Sequence, residues 1–162
     1  MTMAGSWSYV PNDIYKPTNE LIEKLVDIVS KGGNYLLNIG PSPEGEFSDT
    51  AYARLKEIGD WMKINSEAIY GTRMYSVFGE GNDIRFTQTK DDKTKYIFLF
   101  NFPEQPLLLT KIGISKGQKF SLIGSAKKIS YTQTANGLEI KLPKELKASG
   151  NHVWVLKISD PS

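Results

Sequence analysis

The chain has 162 residues and a nearly balanced charge, with 20 Lys and Arg against 18 Asp and Glu and a net charge of +2 at pH 7. This length allows one sizeable hydrophobic core or two small ones, but a complete (β/α)8 barrel needs at least about 200 residues. Because no Lys/Arg cluster stands out and no apolar run approaches the ~20 residues of a membrane span, we expect no nucleic-acid partner and no membrane partner.

The chain contains no cysteine and a single histidine, His152. Disulfides, thiol nucleophiles and cysteine-ligated metals are therefore excluded, and the histidine has no partner motif that would form a zinc site. The pair Asp91-Asp92 lies in a predicted turn without the spacing of a calcium loop, so at most weak cation binding is expected there. We predict no cofactor and no metal site.

The first predicted element is a helix that begins at Thr18, the expected N-cap, and runs to about Lys31. Gly32 and Gly33 are expected to end it, since glycine accepts the left-handed conformation found after helices. The apolar residues recur at spacings of three and four, which is typical of a helix with one buried face: Leu21, Leu25, Ile28 and Val29.

A nearly continuous apolar run follows at Tyr35–Ile39 and predicts a strand that is covered on both faces, as in a parallel sheet. The strand opens onto a loop of Gly, Pro and Ser that ends at Gly45. Loops at the carboxyl ends of parallel strands are where α/β enzymes place substrate contacts. A second helix is predicted from Ser48 or Asp49 to about Ile64.

The pattern changes near Gly71, and we predict two domains, residues 1–72 and residues 73–162. The second domain alternates apolar and polar residues in short runs, which predicts an antiparallel β-sandwich. The dipeptide Asn136-Gly137 predicts a hairpin between two of these runs. The predicted strands are Tyr75–Phe78, Ile84–Thr89, Lys95–Phe102, Leu107–Leu109, Lys119–Ile123, Lys128–Thr134 with Leu138–Leu142, and His152–Ile158.

Three blocks of the first part resemble, in order and approximate spacing, segments of the retaining α-L-fucosidases of glycoside hydrolase family 29. They are Gly5–Tyr9, Ser30–Pro41 and Asn65–Thr72. The resemblance implies an α+β chain in which residues 1–72 form the end of the catalytic (β/α)8 barrel, with two helices and one parallel-type strand. It implies that residues 73–162 form the carboxyl-terminal β-sandwich of the family.

The family hydrolyses terminal α-L-fucose with a carboxylate nucleophile and a second carboxyl group that acts as acid and then as base. By the resemblance, both carboxylates and the histidines that hold the sugar lie upstream of Met1. We therefore expect no catalytic residue in this chain, weak or lost binding of fucosylated glycans, and no hydrolysis by the chain alone. The family suggests a secreted, periplasmic or lysosomal location.

The resemblance implies three substrate-binding residues, Trp7, Tyr9 and Asn38. The aromatic residue of the first block lies near the apolar edge and methyl group of the sugar in the family, and an indole suits that contact. Tyr9 is either a support for Trp7 or purely structural, and Ser8 replaces the glycine that the family has between them. Asn38 lies at the carboxyl end of the strand, where it either faces the site or bonds nearby backbone.

Four other ionisable residues have simpler interpretations. Glu44 and Glu46 lie in the loop after the strand, where a catalytic carboxylate is possible but a solvated side chain is the usual outcome. Glu67 is expected to make a structural ion pair or hydrogen bond. His152 begins a strand, and a surface or packing role is favoured.

Two alternatives to the inactive fragment remain open at this stage. The chain is either a carbohydrate-binding or assembly module without turnover, or it acts with a missing amino-terminal half. Since the segment Asn34–Ile39 is apolar on both faces, leaving it exposed would create a sticky edge. We therefore predict that the isolated chain hides this segment by self-association or by moving its two helices over it.

Overall fold

The computed structural model describes residues 1–115 and 117–160, without the side chain of Ser149. Among these residues no helix is long and apolar enough to cross a membrane. Two α-helices and a short 3₁₀ helix precede a series of eight strands, and a second 3₁₀ helix lies before the last strand. In chain order they are α1 Thr18–Ser30, α2 Asp49–Asn65, the 3₁₀ helix Ser66–Ala68, β1 Thr72–Glu80, β2 Ile84–Thr89, β3 Thr94–Leu99, β4 Leu107–Leu109, β5 Lys119–Leu122, β6 Ser130–Thr134, β7 Gly137–Lys141, the 3₁₀ helix Lys144–Ser149, and β8 Trp154–Ser159.

The strands form the predicted antiparallel sandwich. One sheet has the order β1-β2-β3-β8-β5 and the other has the order β4-β7-β6. The hairpin predicted at Asn136-Gly137 joins β6 to β7, with Thr134 paired to Gly137 across a two-residue loop. Apolar residues from both sheets fill the space between them, among them Phe86, Ile97, Leu109, Leu138, Ile140 and Leu156.

The carboxylate of Glu80 joins the two sheets at one side of the sandwich. Glu80 ends β1 in the first sheet, and Thr110 follows β4 in the second. The carboxylate accepts hydrogen bonds from the Thr110 N–H at 3.0 Å, the Thr110 hydroxyl at 2.6 Å and the Lys111 N–H at 3.2 Å. One side chain therefore links two strands that do not pair with each other.

The helix boundaries agree with the sequence, with one correction at the start of α1. Ser48 caps α2 by accepting a hydrogen bond from the Ala51 N–H at 3.2 Å, and Gly32 ends the first helix with φ +77°. Thr18, however, is not the N-cap of α1, because Pro17 occupies that position. The Thr18 hydroxyl instead donates to the carboxylate of Glu57 on α2, so it joins the two helices.

Both helices pack against the outer face of the five-stranded sheet, so the two parts of the chain are in direct contact. The buried residues of this layer come from α1, α2, β3 and β8, together with Ala68, Ile69 and Val153 beside them. Arg85 on β2 donates to Asp27 on α1 at 2.6 Å, and the buried Trp61 indole donates to the Val153 carbonyl at 2.9 Å. This layer fixes the position of the segment that follows α1.

The segment predicted as a buried strand at Tyr35–Ile39 forms a single parallel bridge, between Asn38 and Thr2. Among the described residues no second chain segment pairs with its other edge, and a ladder needs such a neighbour. Leu37 and Ile39 pack against the helices, whereas Leu36 is 75% exposed. The prediction that both faces are covered is thus wrong for this chain, and the helices do not move over Leu36.

Candidate functional site

An open pocket of about 330 Å³ lies where the loop after Thr2 meets the carboxyl end of the segment 35–39. The indole of Trp7 stands at its side and is 65% exposed. Four consecutive residues of the segment 35–39 border the pocket, and two of them, Leu37 and Ile39, also pack against the helices. The pocket is lined by Trp7, Leu36, Leu37, Asn38, Ile39 and Phe47.

Hydrogen bonds fix the loop that bears Trp7. The side-chain amide of Asn38 donates to the Trp7 carbonyl at 2.8 Å. The carboxylate of Asp13 accepts from the Ser6 N–H at 3.0 Å and from the Ile14 N–H at 2.7 Å. Hydrogen bonds thus fix the main chain at Trp7, while its indole side chain stays largely exposed to solvent.

The structure brings two of the three predicted substrate residues together, Trp7 and Asn38. Tyr9 is exposed and does not line the pocket. The backbone of Tyr9 lies directly over Gly40, whose added Cβ would be 2.6 Å from the Tyr9 nitrogen. What Tyr9 contributes here is therefore main-chain packing beside the pocket.

No carboxylate lines this pocket among the described residues. Glu44 is fully exposed, and its pKa is lowered chiefly by a hydrogen bond from the Ser42 side chain. Glu67 accepts from the Tyr96 hydroxyl at 3.1 Å and from the Lys157 ammonium at 2.6 Å, which holds the 3₁₀ helix on the sheet. Burial, together with the Glu67 charge, raises the pKa of Tyr96. The arrangement gives Glu67 the structural role expected of it.

The remaining candidates lie elsewhere. His152, with φ +70°, lines a separate cleft of about 340 Å³ between α2 and β8. Asp91 accepts from Thr89 within its turn, and Asp92 pairs with Arg73 at 2.7 Å, so both act as turn residues. Within residues 1–115 and 117–160 no group of three or more acidic or histidine side chains is placed to hold a metal ion.

Sequence reasoning missed Asp13. Its signal was local, since Asn12 and Asp13 follow Pro11 and such residues bond their own backbone in turns. The contact to Ser6 spans seven residues of loop, however, and no periodic pattern shows it.

A parallel bridge at a pocket, two outer helices and a following β-sandwich are consistent with the end of a (β/α)8 barrel joined to a β-sandwich domain, and sequence comparison identifies the family. The sequence model of the family "Alpha-L-fucosidase" matches residues 1–67, and the model "Alpha-L-fucosidase C-terminal domain" matches residues 80–159. The chain therefore belongs to the α-L-fucosidase family.

Curated relatives and solved structures support this membership. Tissue α-L-fucosidase of Rattus norvegicus is 34% identical over 146 residues, which cover 86% of this chain and 31% of the rat protein. The human tissue enzyme is 31% identical over 95% of this chain and 34% of its own length. The Thermotoga maritima α-fucosidase in complex with fucose superposes with a TM-score of 0.86 at 28% identity, over 98% of this chain and 38% of that one. The chain thus spans about a third of the length of the relatives it matches.

Proposed function

We propose that this chain forms the carboxyl-terminal part of a retaining α-L-fucosidase, an enzyme that removes terminal α-L-fucose from glycoconjugates. The observation that supports this proposal is the pocket that joins the exposed Trp7 to Asn38 at the end of the segment 35–39. The likeness of 98% of this chain to a fucosidase described in complex with fucose points the same way.

The pocket suits a 6-deoxy sugar because such a sugar presents a methyl group and C–H faces beside its hydroxyls. The Trp7 indole offers an apolar face and an N–H donor, which are the two features that such a ligand needs. Trp7, Tyr9 and Asn38 are proposed as the part of the sugar site that this chain contributes. The sandwich supports them through the helix layer that packs on its outer face.

Turnover is proposed to require carboxylates from outside this chain. A retaining glycosidase needs two carboxyl groups about 5–5.5 Å apart at the scissile bond. The described residues that line the pocket include none, and Glu67 is engaged with Tyr96 and Lys157. By itself the 162-residue polypeptide is therefore expected to hydrolyse no fucoside.

The partner proposed for the open edge is a polypeptide with the remaining barrel units. The N–H and C=O of Asn38 bond to Met1 and Met3, both at 2.9 Å. Backbone groups alternate in direction along a strand, so those of Leu37 and Ile39 face the other edge, where no described residue bonds them. A parallel strand placed there would satisfy these groups and cover Leu36.

Without that partner, copies of the chain are proposed to associate through the same edge. Leu36→Asp should shift the sedimentation coefficient toward the monomer, because a charge on the exposed face opposes burial. Leu108→Asp is the matched control, since Leu108 is a leucine of the sandwich that is 48% exposed. A wild-type chain that sediments as a monomer at all concentrations would contradict self-association.

The deciding experiment is release of nitrophenol from an aryl α-L-fucoside by the purified chain, with its intact mass verified. We expect no release by the chain alone and release after mixing it with the part of the Thermotoga maritima enzyme that lies outside the matched region. Release by the chain alone that persists through repurification would overturn the proposal. Glu44→Gln, Glu46→Gln and Glu67→Gln would then identify the carboxylate responsible.

A second candidate function, sugar binding without turnover, is favoured by one observation: Trp7 is exposed at a pocket whose described lining contains no carboxylate. Calorimetry with L-fucose tests it. Binding by the wild-type chain that is lost in Trp7→Ala, without hydrolysis and without rescue by the complementary part, would support a binding module. The absence of heat in both chains would exclude it.

A further inference from the structure

We propose that Asn38, Asp13 and Gly40 are positioning residues that hold the main chain of the loop 5–9, and that Asn38 affects sugar binding through Trp7 and not by its own contact. The inference rests on the proposed function, since that function places the sugar against Trp7. It adds Asp13 to the residues that shape the pocket, and it assigns the Asn38 amide to holding the Trp7 carbonyl.

The first support is the bond from the Asn38 side-chain amide to the Trp7 carbonyl, at 2.8 Å. Asn38 is itself anchored, because its N–H bonds to the Met1 carbonyl and its C=O accepts from Met3, both at 2.9 Å. The amide thus starts from a fixed main chain, and the bond to Trp7 occupies one of its donors. The amide therefore fixes where the main chain of Trp7 lies relative to the segment 35–39.

The second support is the carboxylate of Asp13, which bonds the loop at Ser6 and the main chain of its own neighbour Ile14. One oxygen accepts from the Ser6 N–H at 3.0 Å and the other from the Ile14 N–H at 2.7 Å. A charged acceptor makes these bonds stronger than those between neutral groups. The same carboxylate lies against Gly5, where an added Cβ would be 2.9 Å from Oδ1. The residue before Trp7 is thus fixed independently of Asn38.

The third support is the close approach of two backbones at Gly40. An added Cβ would lie 2.6 Å from the Tyr9 nitrogen and 2.7 Å from the Ser8 carbonyl carbon. Main-chain atoms cannot rotate away as a side chain can, so any other residue at this position must displace the loop. Gly40 lets the residues after Trp7 lie directly on the strand end.

Together these contacts fix the loop before, at and after Trp7 while the indole stays 65% exposed. A ligand that stacks on the Trp7 ring binds to a loop, residues 5–9, whose backbone is already ordered. Ordering costs on binding are correspondingly small, which raises affinity without a new contact. The three main-chain contacts around the exposed Trp7 are therefore expected to raise its affinity for a ligand.

The test compares Asn38→Asp with Asn34→Asp in the full 162-residue chain. Asp has the shape of Asn but cannot donate to the Trp7 carbonyl. Asn34 is exposed and, among the described residues, its side chain makes no hydrogen bond, so Asn34→Asp controls for the added charge. The first readout is the heteronuclear Overhauser effect of the indole N–H in labelled protein, with the Trp7 signal assigned by its loss in Trp7→Phe. The second is the affinity for L-fucose, titrated by the same signals.

In Asn38→Asp we expect the Overhauser effect of Trp7 to fall toward that of a flexible side chain, while the signals of Trp61 and Trp154 stay in place. Fucose affinity should fall about two- to tenfold, the cost of ordering one more side chain on binding. Asn34→Asp should change neither readout. Gly40→Ala should move the Trp7 signal, and Gly59→Ala, with no atom within 4 Å of the added Cβ outside its own helix, should not.

An unchanged Trp7 signal in Asn38→Asp would overturn the inference. If fucose affinity also falls in that variant, Asn38 contacts the sugar directly. A wild-type chain that binds no fucose would count against the binding role proposed for the pocket, and the Overhauser measurement would still decide whether Asn38 positions Trp7.

Discussion

The sandwich and the helical end of this molecule differ in how completely they bury their own apolar residues. In the part of the sandwich that the structure describes, fifteen buried residues lie between two sheets that cover them from both sides. Near the pocket, the buried cluster consists of three residues, Met3, Leu21 and Ala51. Several large apolar side chains of that same end are exposed, namely Trp7, Val10, Ile14 and Leu36.

One polypeptide thus combines a core that two sheets cover with a surface on which large apolar side chains stay exposed. Among the described residues, the layer between them buries nine side chains, six from α1, α2, β3 and β8 and three from Ala68, Ile69 and Val153. The helical end is therefore held in place by its contacts with the sandwich, while Trp7 and Leu36 at the pocket stay exposed to solvent.

The largest expected effect comes from comparing one leucine on each side. Leu138→Ala removes a fully buried side chain from the sandwich core and should lower the free energy of unfolding by about 2–5 kcal/mol. Leu36→Ala removes an exposed side chain and should change it by less than about 0.5 kcal/mol. Urea unfolding measures both, and equal losses would refute the contrast.

The next effect concerns the ion pair that joins the two parts. In Arg85–Asp27 the two side chains are 11% and 22% exposed, and the bond measures 2.6 Å. Asp27→Asn should lower the free energy of unfolding by about 2 kcal/mol, as expected for a hydrogen bond between charged groups that is largely shielded from water. Asp92→Asn is the control, because its pair with Arg73 is exposed on both sides. A loss in Asp92→Asn as large as in Asp27→Asn would show that burial is not the cause.

The same pair predicts a pH dependence. Burial alone would raise the pKa of Asp27, but hydrogen bonds from Lys31 and Arg85 outweigh it and hold the pKa below the ordinary value of 3.8. A depressed pKa stabilises the fold above the ordinary value, and this stabilisation is lost as pH falls through the folded-state value. The stability difference between wild type and Asp27→Asn should thus be constant near neutral pH and shrink below about pH 4. A difference that grows on acidification would contradict this sign.

The smallest effect concerns the helix propensity of α2 at Gly59. Gly59 lies inside α2, and outside the helix's own backbone no atom lies within 4 Å of an added Cβ. Gly59→Ala should raise the free energy of unfolding by about 0.5–1 kcal/mol, since alanine loses less backbone freedom than glycine. The exposure of Leu36 should not change, and a shift in association would indicate that α2 and the open edge are coupled.

Most elements could be predicted from the sequence because periodicity and turn chemistry are local. The hairpin at Asn136-Gly137 and the ends of both helices follow from such signals. Thr18 was assigned wrongly because its partner, Glu57, is 39 positions away and no local pattern shows it. The segment 35–39 was correctly recognised as apolar, but a strand requires neighbours that a sequence pattern alone cannot supply.

The candidate site was predictable only in part. The resemblance to the family led to Trp7 and Asn38, which the structure brings into hydrogen-bond contact. The sequence left open that Asn38 bonds nearby backbone, which it does, but it did not indicate that the acceptor is the Trp7 carbonyl or that Asp13 holds the loop. These contacts depend on how two loops meet in space.

The three hydrogen bonds to Glu80 have a consequence for acid exposure. Burial alone would raise the pKa of Glu80, but the bonds from Thr110 and Lys111 hold it below its ordinary value of 4.5. Protonation in strong acid would weaken this link and free the outer edge of β1, where Met74, Val77 and Phe78 are already exposed. An unprotected edge of this kind is a template for irreversible aggregation. We therefore expect light scattering to begin at a higher pH in Glu80→Gln than in the wild type during gradual acidification, because the variant lacks the carboxylate at every pH. An identical onset would show that this carboxylate does not protect the edge.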